Sequence, residues 1–180
     1  MRLTIDTVVN EPVNVAITID GYVPVHIKII DSKGNFSPLY WRVGNGRKSL
    51  LELAVLPEDG FISSITLVMI EPDAIHKVDV LPIRVSESEY GLPVVNTDLW
   101  KYAESDDFSQ RFIDDFSLGI QATISSESML LAIGEKKDVA GWIRCSDNFY
   151  LGIDDRRNIV NLFLDKLTHE EIESFFESVS

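Results

Sequence analysis

Apolar and polar residues alternate along most of this chain. Across residues 13–19, Val13, Val15, Ile17 and Ile19 alternate with Asn14, Ala16 and Thr18, the period-two pattern of a strand with one buried face. Asp20-Gly21 interrupts it with a dipeptide suited to a hairpin turn, and Val23, Val25, Ile27 and Ile29 resume it. Residues 31–35 (DSKGN) read as a turn. Leu39, Trp41 and Val43, then Leu51, Leu53 and Val55, then the run 61–70 supply three more sets. The first half therefore predicts five strands, mostly antiparallel neighbours. The second half repeats the pattern at 116–124, 128–134, 139–145, 149–154 and 158–167, with EKKD (135–138) as hairpin punctuation.

The helical signals are fewer. Thr168 and Glu171 have the spacing of a capping box, and Leu167 and Ile172 that of a hydrophobic staple. Ile172, Phe175, Phe176 and Val179 then predict one apolar helix face. Between the halves, residues 71–107 are irregular. Thr97 or Asp98 is placed to cap a short helix through 99–106 (LWKYAESD), and Phe108, Phe112 and Ile113 are spaced for a second.

One internal likeness organises the whole. Leu53 and Val55 correspond to Leu151 and Ile153, and, after a turn one residue shorter in the second copy, Ile62, Ile65 and Leu67 correspond to Ile159, Leu162 and Leu164. The expected fold is α+β and β-rich. It has two related antiparallel-sheet halves of about five strands each, a C-terminal amphipathic helix, and one or two short central helices. A boundary near residue 96 divides residues 1–96 from residues 97–180, as two units or as one continuous domain.

Composition narrows the functions. With 180 residues, 45% of them hydrophobic, the chain can bury a real core. No apolar run reaches the roughly 20 residues of a membrane helix, and residues 1–13 contain Asp6 and Glu11 and no secretory apolar segment. The single cysteine, Cys145, leaves no internal disulfide to form, which fits a reducing cytoplasm. The net charge is -13, unevenly spread: residues 1–95 hold 12 acidic and 8 basic groups, residues 96–180 hold 17 and 8. Such a field repels nucleic acid and anionic lipid and favours a basic protein partner.

Chemistry-bearing motifs are lacking. VGNGRKSL (43–50) resembles a phosphate loop only superficially: aligned on Lys48-Ser49, the required glycines fall at Arg47 and Arg42, and a strand pattern rather than a helix follows. A hairpin loop turning at Asn45-Gly46 is expected instead. Alternation puts Cys145 on the face of Ile143, in the core rather than in a nucleophile's setting. His26, His76 and His169 have no metal-ligand spacing. The adjacent acid pairs Asp106-Asp107, Asp114-Asp115 and Asp154-Asp155 point to opposite faces if on strands, so they form no dyad by sequence. No catalytic residue, metal site or cofactor is expected.

The window 98–115 is the candidate partner-binding site. It carries Asp98, Glu104, Asp106, Asp107, Asp114 and Asp115 against Lys101 and Arg111, with Trp100 and Tyr102 as candidate aromatic anchors. In size, charge and missing catalytic motifs the chain is similar to small acidic bacterial proteins, among them immunity proteins that neutralise a cognate toxin. The expected function is a non-enzymatic cytoplasmic binding protein that occludes a basic partner such as a toxin. Two other expectations stand beside it: a ligand-binding protein or enzyme with a pocket between the halves, and a structural or assembly subunit.

Overall fold

The computed structural model describes residues 3–11, 13–30, 37–85, 88–103, 105–135 and 138–180. Strand β1 (Ile5–Val9) precedes the first alternating set, which forms as β2 (Ala16–Thr18), β3 (Val25–Lys28), β4 (Leu39–Gly44), β5 (Leu50–Val55) and β6 (Ile62–Met69). Three short strands follow: β7 (Ile75–Lys77), β8 (Ser88–Tyr90) and β9 (Leu92–Val95). Beyond a 3-10 turn at Asp98–Trp100 lies β10 (Phe112–Asp115). The second alternating set is β11 (Ile120–Ile124), β12 (Met129–Ile133), β13 (Gly141–Arg144), β14 (Phe149–Ile153) and β15 (Ile159–Leu164). Helix α1 (His169–Ser178) carries the expected capping box, with Glu171 N–H on the Thr168 hydroxyl and the Glu171 carboxylate on Thr168 N–H. The turn expected at 31–35, and residues 136 and 137 of the one expected at 135–138, lie outside the described residues.

The two sets build sheets of the same strand order. One runs β10-β4-β5-β6-β3-β2, the other β7-β11-β12-β15-β14-β13-β8. Numbered by order within each set, both five-strand cores read third, fourth, fifth, second, first. The pairing registers agree as well. Trp41 faces Leu53 and Leu53 faces Ile65 in the first, as Ile143 faces Leu151 and Leu151 faces Leu162 in the second. A bulge falls between Ala54 and Val55, and another between Gly152 and Ile153. The correspondence expected for 51–67 and 149–164 is thus matched residue for residue, bulge included.

The halves also exchange strands. β10 pairs with β4, while β7 and β8 pair with β11 and β13, all three in parallel. β1 and β9 form a separate antiparallel ribbon with Ile5 opposite Val95. Ile5 N–H donates to Arg157 O at 2.9 Å, and Val95 N–H donates to Gly60 O at 2.8 Å. Gly60 and Arg157 are equivalent turn residues of the two bulged hairpins, and both have positive φ, 76° and 60°. Glycine takes this conformation without strain. Arg157 offsets the strain with bonds from its guanidinium to Ile5 O and the Glu89 carboxylate. Both ribbon strands come from residues 1–96: β1 seals the hairpin of the second half at Arg157, and β9 seals that of its own half at Gly60.

Burial follows the shared register. Trp41, Leu53, Ile65, Ile143, Leu151 and Leu162 are all at the inward phase and belong to one continuous core cluster that includes Phe175 of α1. The outward phases differ. Tyr40, Glu52, Thr66 and His26 in the first sheet occupy the positions of Trp142, Tyr150, Phe163 and Leu130 in the second. The more apolar second face is covered by Leu81, Ile83 and Val85, forming a satellite cluster with Trp142 and Phe163. Burial of apolar area is what holds that strap down, at about 25 cal/mol per Å².

The central region corrects the helical expectation. The first expected helix is a three-residue 3-10 turn, and Thr97 makes no side-chain cap bond. Phe112 and Ile113, expected on a second helix, lie on β10. The open edge of β4 offers backbone partners there, and tertiary pairing overrides a weak local helical preference.

The exchange of strands carries a prediction. Residues 1–96 and 97–180 made as separate polypeptides are each expected to lack a cooperative thermal transition by circular dichroism and to regain it when mixed. A half that melts cooperatively alone contradicts the interlocked arrangement.

Candidate functional site

The acidic window 98–115 splits into two structural parts. Residues 101–103 and 105–108 form a small hairpin closed by the Lys101–Phe108 bridge. Tyr102 N–H bonds Asp107 O at 2.9 Å, and Ser105 N–H bonds Tyr102 O at 3.2 Å. The hydroxyl of Ser105 accepts from Asp107 N–H at 3.0 Å, a local turn contact that fixes the tip. Residues 112–115 belong to β10 and lie on the first sheet.

The eight candidate residues are not one surface. Trp100 is 2% exposed and packs in the core; its carbonyl accepts from both the N–H and the hydroxyl of Ser109. Asp115 accepts the indole N–H of buried Trp41 at 2.6 Å. Asp114 takes two bonds from the Arg42 guanidinium, at 2.7 and 3.0 Å, and Arg42 lies over the Phe112 ring at 4.3 Å. These two carboxylates hold β10 against β4. Glu104 lies outside the described residues. Asp98 pairs with Lys101 at 3.3 Å, so the hairpin's own cation is matched. Tyr102, 59% exposed, then shares the tip with exposed Asp106 and Asp107. A concavity of about 440 Å³ is lined by Asp98, Lys101, Tyr102 and Asp106. An amphipathic ring lies there beside exposed carboxylates.

Sequence reasoning missed the arginines. Arg42 on β4 and Arg144 on β13 occupy equivalent register positions, and both guanidinium pKa values are raised, first by a carboxylate hydrogen bond, from Asp114 and from Asp147 respectively. Arg42 leans on Phe112 of the neighbouring parallel strand, and Arg144 lies over Tyr90 in the same way. The repeat alignment of the hairpins, extended one strand back, was the signal that locates them.

The nucleophile and metal candidates are placed as well. Cys145 is fully buried, and burial pushes its thiol up to about 12. His26 shares a 2.9 Å hydrogen bond with Thr66, and His169 lies 3.2 Å from Glu173. Among the described residues no three His, Cys, Asp or Glu side chains converge to hold a metal. The 43–50 loop is the expected hairpin: Gly46 has φ 67°, and the Asn45 carboxamide oxygen accepts from the N–H groups of Arg47, Lys48 and Ser49. No described helix is long and apolar enough to cross a membrane.

No protein-family model matches the chain. Over 85 residues, covering 47% of this chain and 99% of the relative, the chain is 69% identical to the immunity protein CdiI-1 of Escherichia coli O157:H7 (strain EC869). The shared stretch is close to the length of one five-stranded unit with its flanking segments.

Two measurements check these placements. Trp100→Ala is expected to cost about 3–5 kcal/mol of stability, as truncation of a core aromatic does, whereas Tyr102→Ala changes stability by no more than about 0.5 kcal/mol; denaturant titration separates them. Cys145 is expected to resist a thiol reagent at pH 8 in the native protein and to react at once when unfolded. Rapid native labelling contradicts its placement.

Proposed function

Because the chain belongs to the family of the immunity protein CdiI-1, we propose that it is itself an immunity protein, one that neutralises a toxin by binding and occluding it without catalysis. The 69% identity over nearly the whole of that relative is the observation that carries this reading. The net charge of -13 supports a basic toxin, since opposite charge speeds encounter and steers orientation. The reading places the chain in the cytoplasm, where such a toxin would meet its target.

The hairpin tip is the proposed contact. Tyr102 brings a ring that can be buried at little entropic cost, and Asp106 and Asp107 bring exposed carboxylates. Asp114 and Asp115, engaged with Arg42 and Trp41, position the sheet beside it. Close interfacial charge pairs can couple by about 1.5–7 kcal/mol, so a few desolvated pairs suffice for tight inhibition.

Co-expression with the toxin neutralised by the E. coli relative tests the reading directly. Cells carrying the unaltered chain are expected to survive and cells without it to stop growing. Asp106→Lys with Asp107→Lys is expected to weaken binding at least tenfold, and the affinity of the unaltered chain to fall steeply as salt rises. Absence of protection by a folded, expressed chain contradicts the immunity reading.

A further inference from the structure

One residue type is shared by the outward rows of the two sheets, and its surroundings differ. Across β10, β4 and β5 the first row reads Asp114, Arg42 and Glu52. Across β8, β13 and β14 the second reads Tyr90, Arg144 and Tyr150. The arginine stands in both; the carboxylates on its two sides become tyrosines. At Arg42 the side-on edge of the guanidinium is filled, since Nε and Nη2 donate to the two oxygens of Asp114 at 2.7 and 3.0 Å. At Arg144 the same edge is half filled. Nη2 donates to Asp147, and the buried Nε has no acceptor. Among the described residues this is the only buried side-chain nitrogen or oxygen left without a partner. A buried donor in that state costs about 1–3 kcal/mol.

We propose that Arg144 receives a side-chain carboxylate of the toxin, bound across its guanidinium edge as Asp114 is bound across that of Arg42. The inference rests on the immunity reading and adds to it one contact of the opposite sign. Three features point to this occupant. The equivalent arginine shows what the position takes, a carboxylate held by two parallel bonds. The unpaired Nε calls for an acceptor that the chain itself does not place there. The third feature is access. Arg144 lies over the Tyr90 ring at 6.0 Å, and Tyr90 and Asp147 line a cavity of about 470 Å³ that also holds exposed Lys166. Asp147 is no obstacle. The turn it sits in is closed by the N–H groups of Cys145 and Ser146 on Phe149 O, at 3.1 and 3.2 Å, so it does not need the Asp147 carboxylate. That side chain is 76% exposed and can swing out to water. Asp147 thus holds the arginine in place until a carboxylate that engages both nitrogens displaces it. A bidentate pair of this kind fixes direction as well as adding energy, so the toxin's acid sets the docking register while opposite charge elsewhere speeds the encounter.

The test measures binding of the purified toxin of the E. coli relative by titration calorimetry, with the melting temperature of each variant as the check on folding. Arg144→Lys keeps the charge and removes the planar fork; it is expected to bind about tenfold more weakly. Asp147→Asn removes the internal competitor and leaves the backbone bonds of the turn in place. It is expected to bind more tightly, by roughly threefold. The sign is diagnostic, because losing a carboxylate that only steered a basic toxin, or only braced the turn, weakens binding. Asp147→Asn, at an exposed side chain, decides the matter even where Arg144→Lys lowers the melting temperature. A folded Arg144→Lys within twofold of the unaltered chain, or an Asp147→Asn that binds no more tightly than it, overturns the site while leaving the immunity reading standing. If the unaltered chain does not bind the toxin, both fall.

Discussion

The pairing of Ile5 with Val95 at one end of the β1–β9 ribbon is the contact on which the rest depends. Each of these residues also donates its N–H to the turn of a different bulged hairpin, Arg157 in one half and Gly60 in the other. A buried hairpin turn with an unsatisfied carbonyl costs about 1–3 kcal/mol. Here one ribbon satisfies both carbonyls, β1 that of the second half and β9 that of the first, and the pairing of the two strands ties the hairpins together. The exchange of β7, β8 and β10 between sheets extends the same logic to the open edges, which are otherwise templates for unwanted pairing.

Equivalent geometry lets the two halves be read against each other as a controlled comparison. With backbone register held constant, the difference in outward residues decides what covers each face. Trp142, Tyr150 and Phe163 need a strap, and Leu81, Ile83 and Val85 supply it. Tyr40, Glu52 and Thr66 can face water, and lie at intermediate exposure. Residues that leave a surface uncovered are the ones available to a partner. The contacts proposed for the tip are those of exposed Tyr102, Asp106 and Asp107.

Strands with strict alternation were legible because a face buried against the core leaves a period of two: all ten expected strands correspond to β2–β6 and β11–β15. The capping box at Thr168 was legible because the cap is local chemistry. The exchanged strands were not. β8 is exposed at all three positions and β7 has no buried residue, so neither leaves a hydrophobic period, and their partners lie far away in sequence. For the same reason Phe112 and Ile113 read as helical when a distant edge made them a strand. Of the candidate site, acidity alone could not separate carboxylates spent inside the fold, Asp114 and Asp115, from those left at the tip, and an aromatic's sequence neighbours could not tell buried Trp100 from exposed Tyr102.

Native-state hydrogen exchange at four amides tests the interlocked body most directly: Ile5 and Val95 on the ribbon, Leu53 and Leu151 at equivalent core positions. All four are expected to exchange only through global unfolding, with one shared opening free energy and one shared denaturant dependence. Opening of Leu53 at a lower free energy than Leu151, or the reverse, with the ribbon amides following the weaker half, would show two separately stable units and contradict the account.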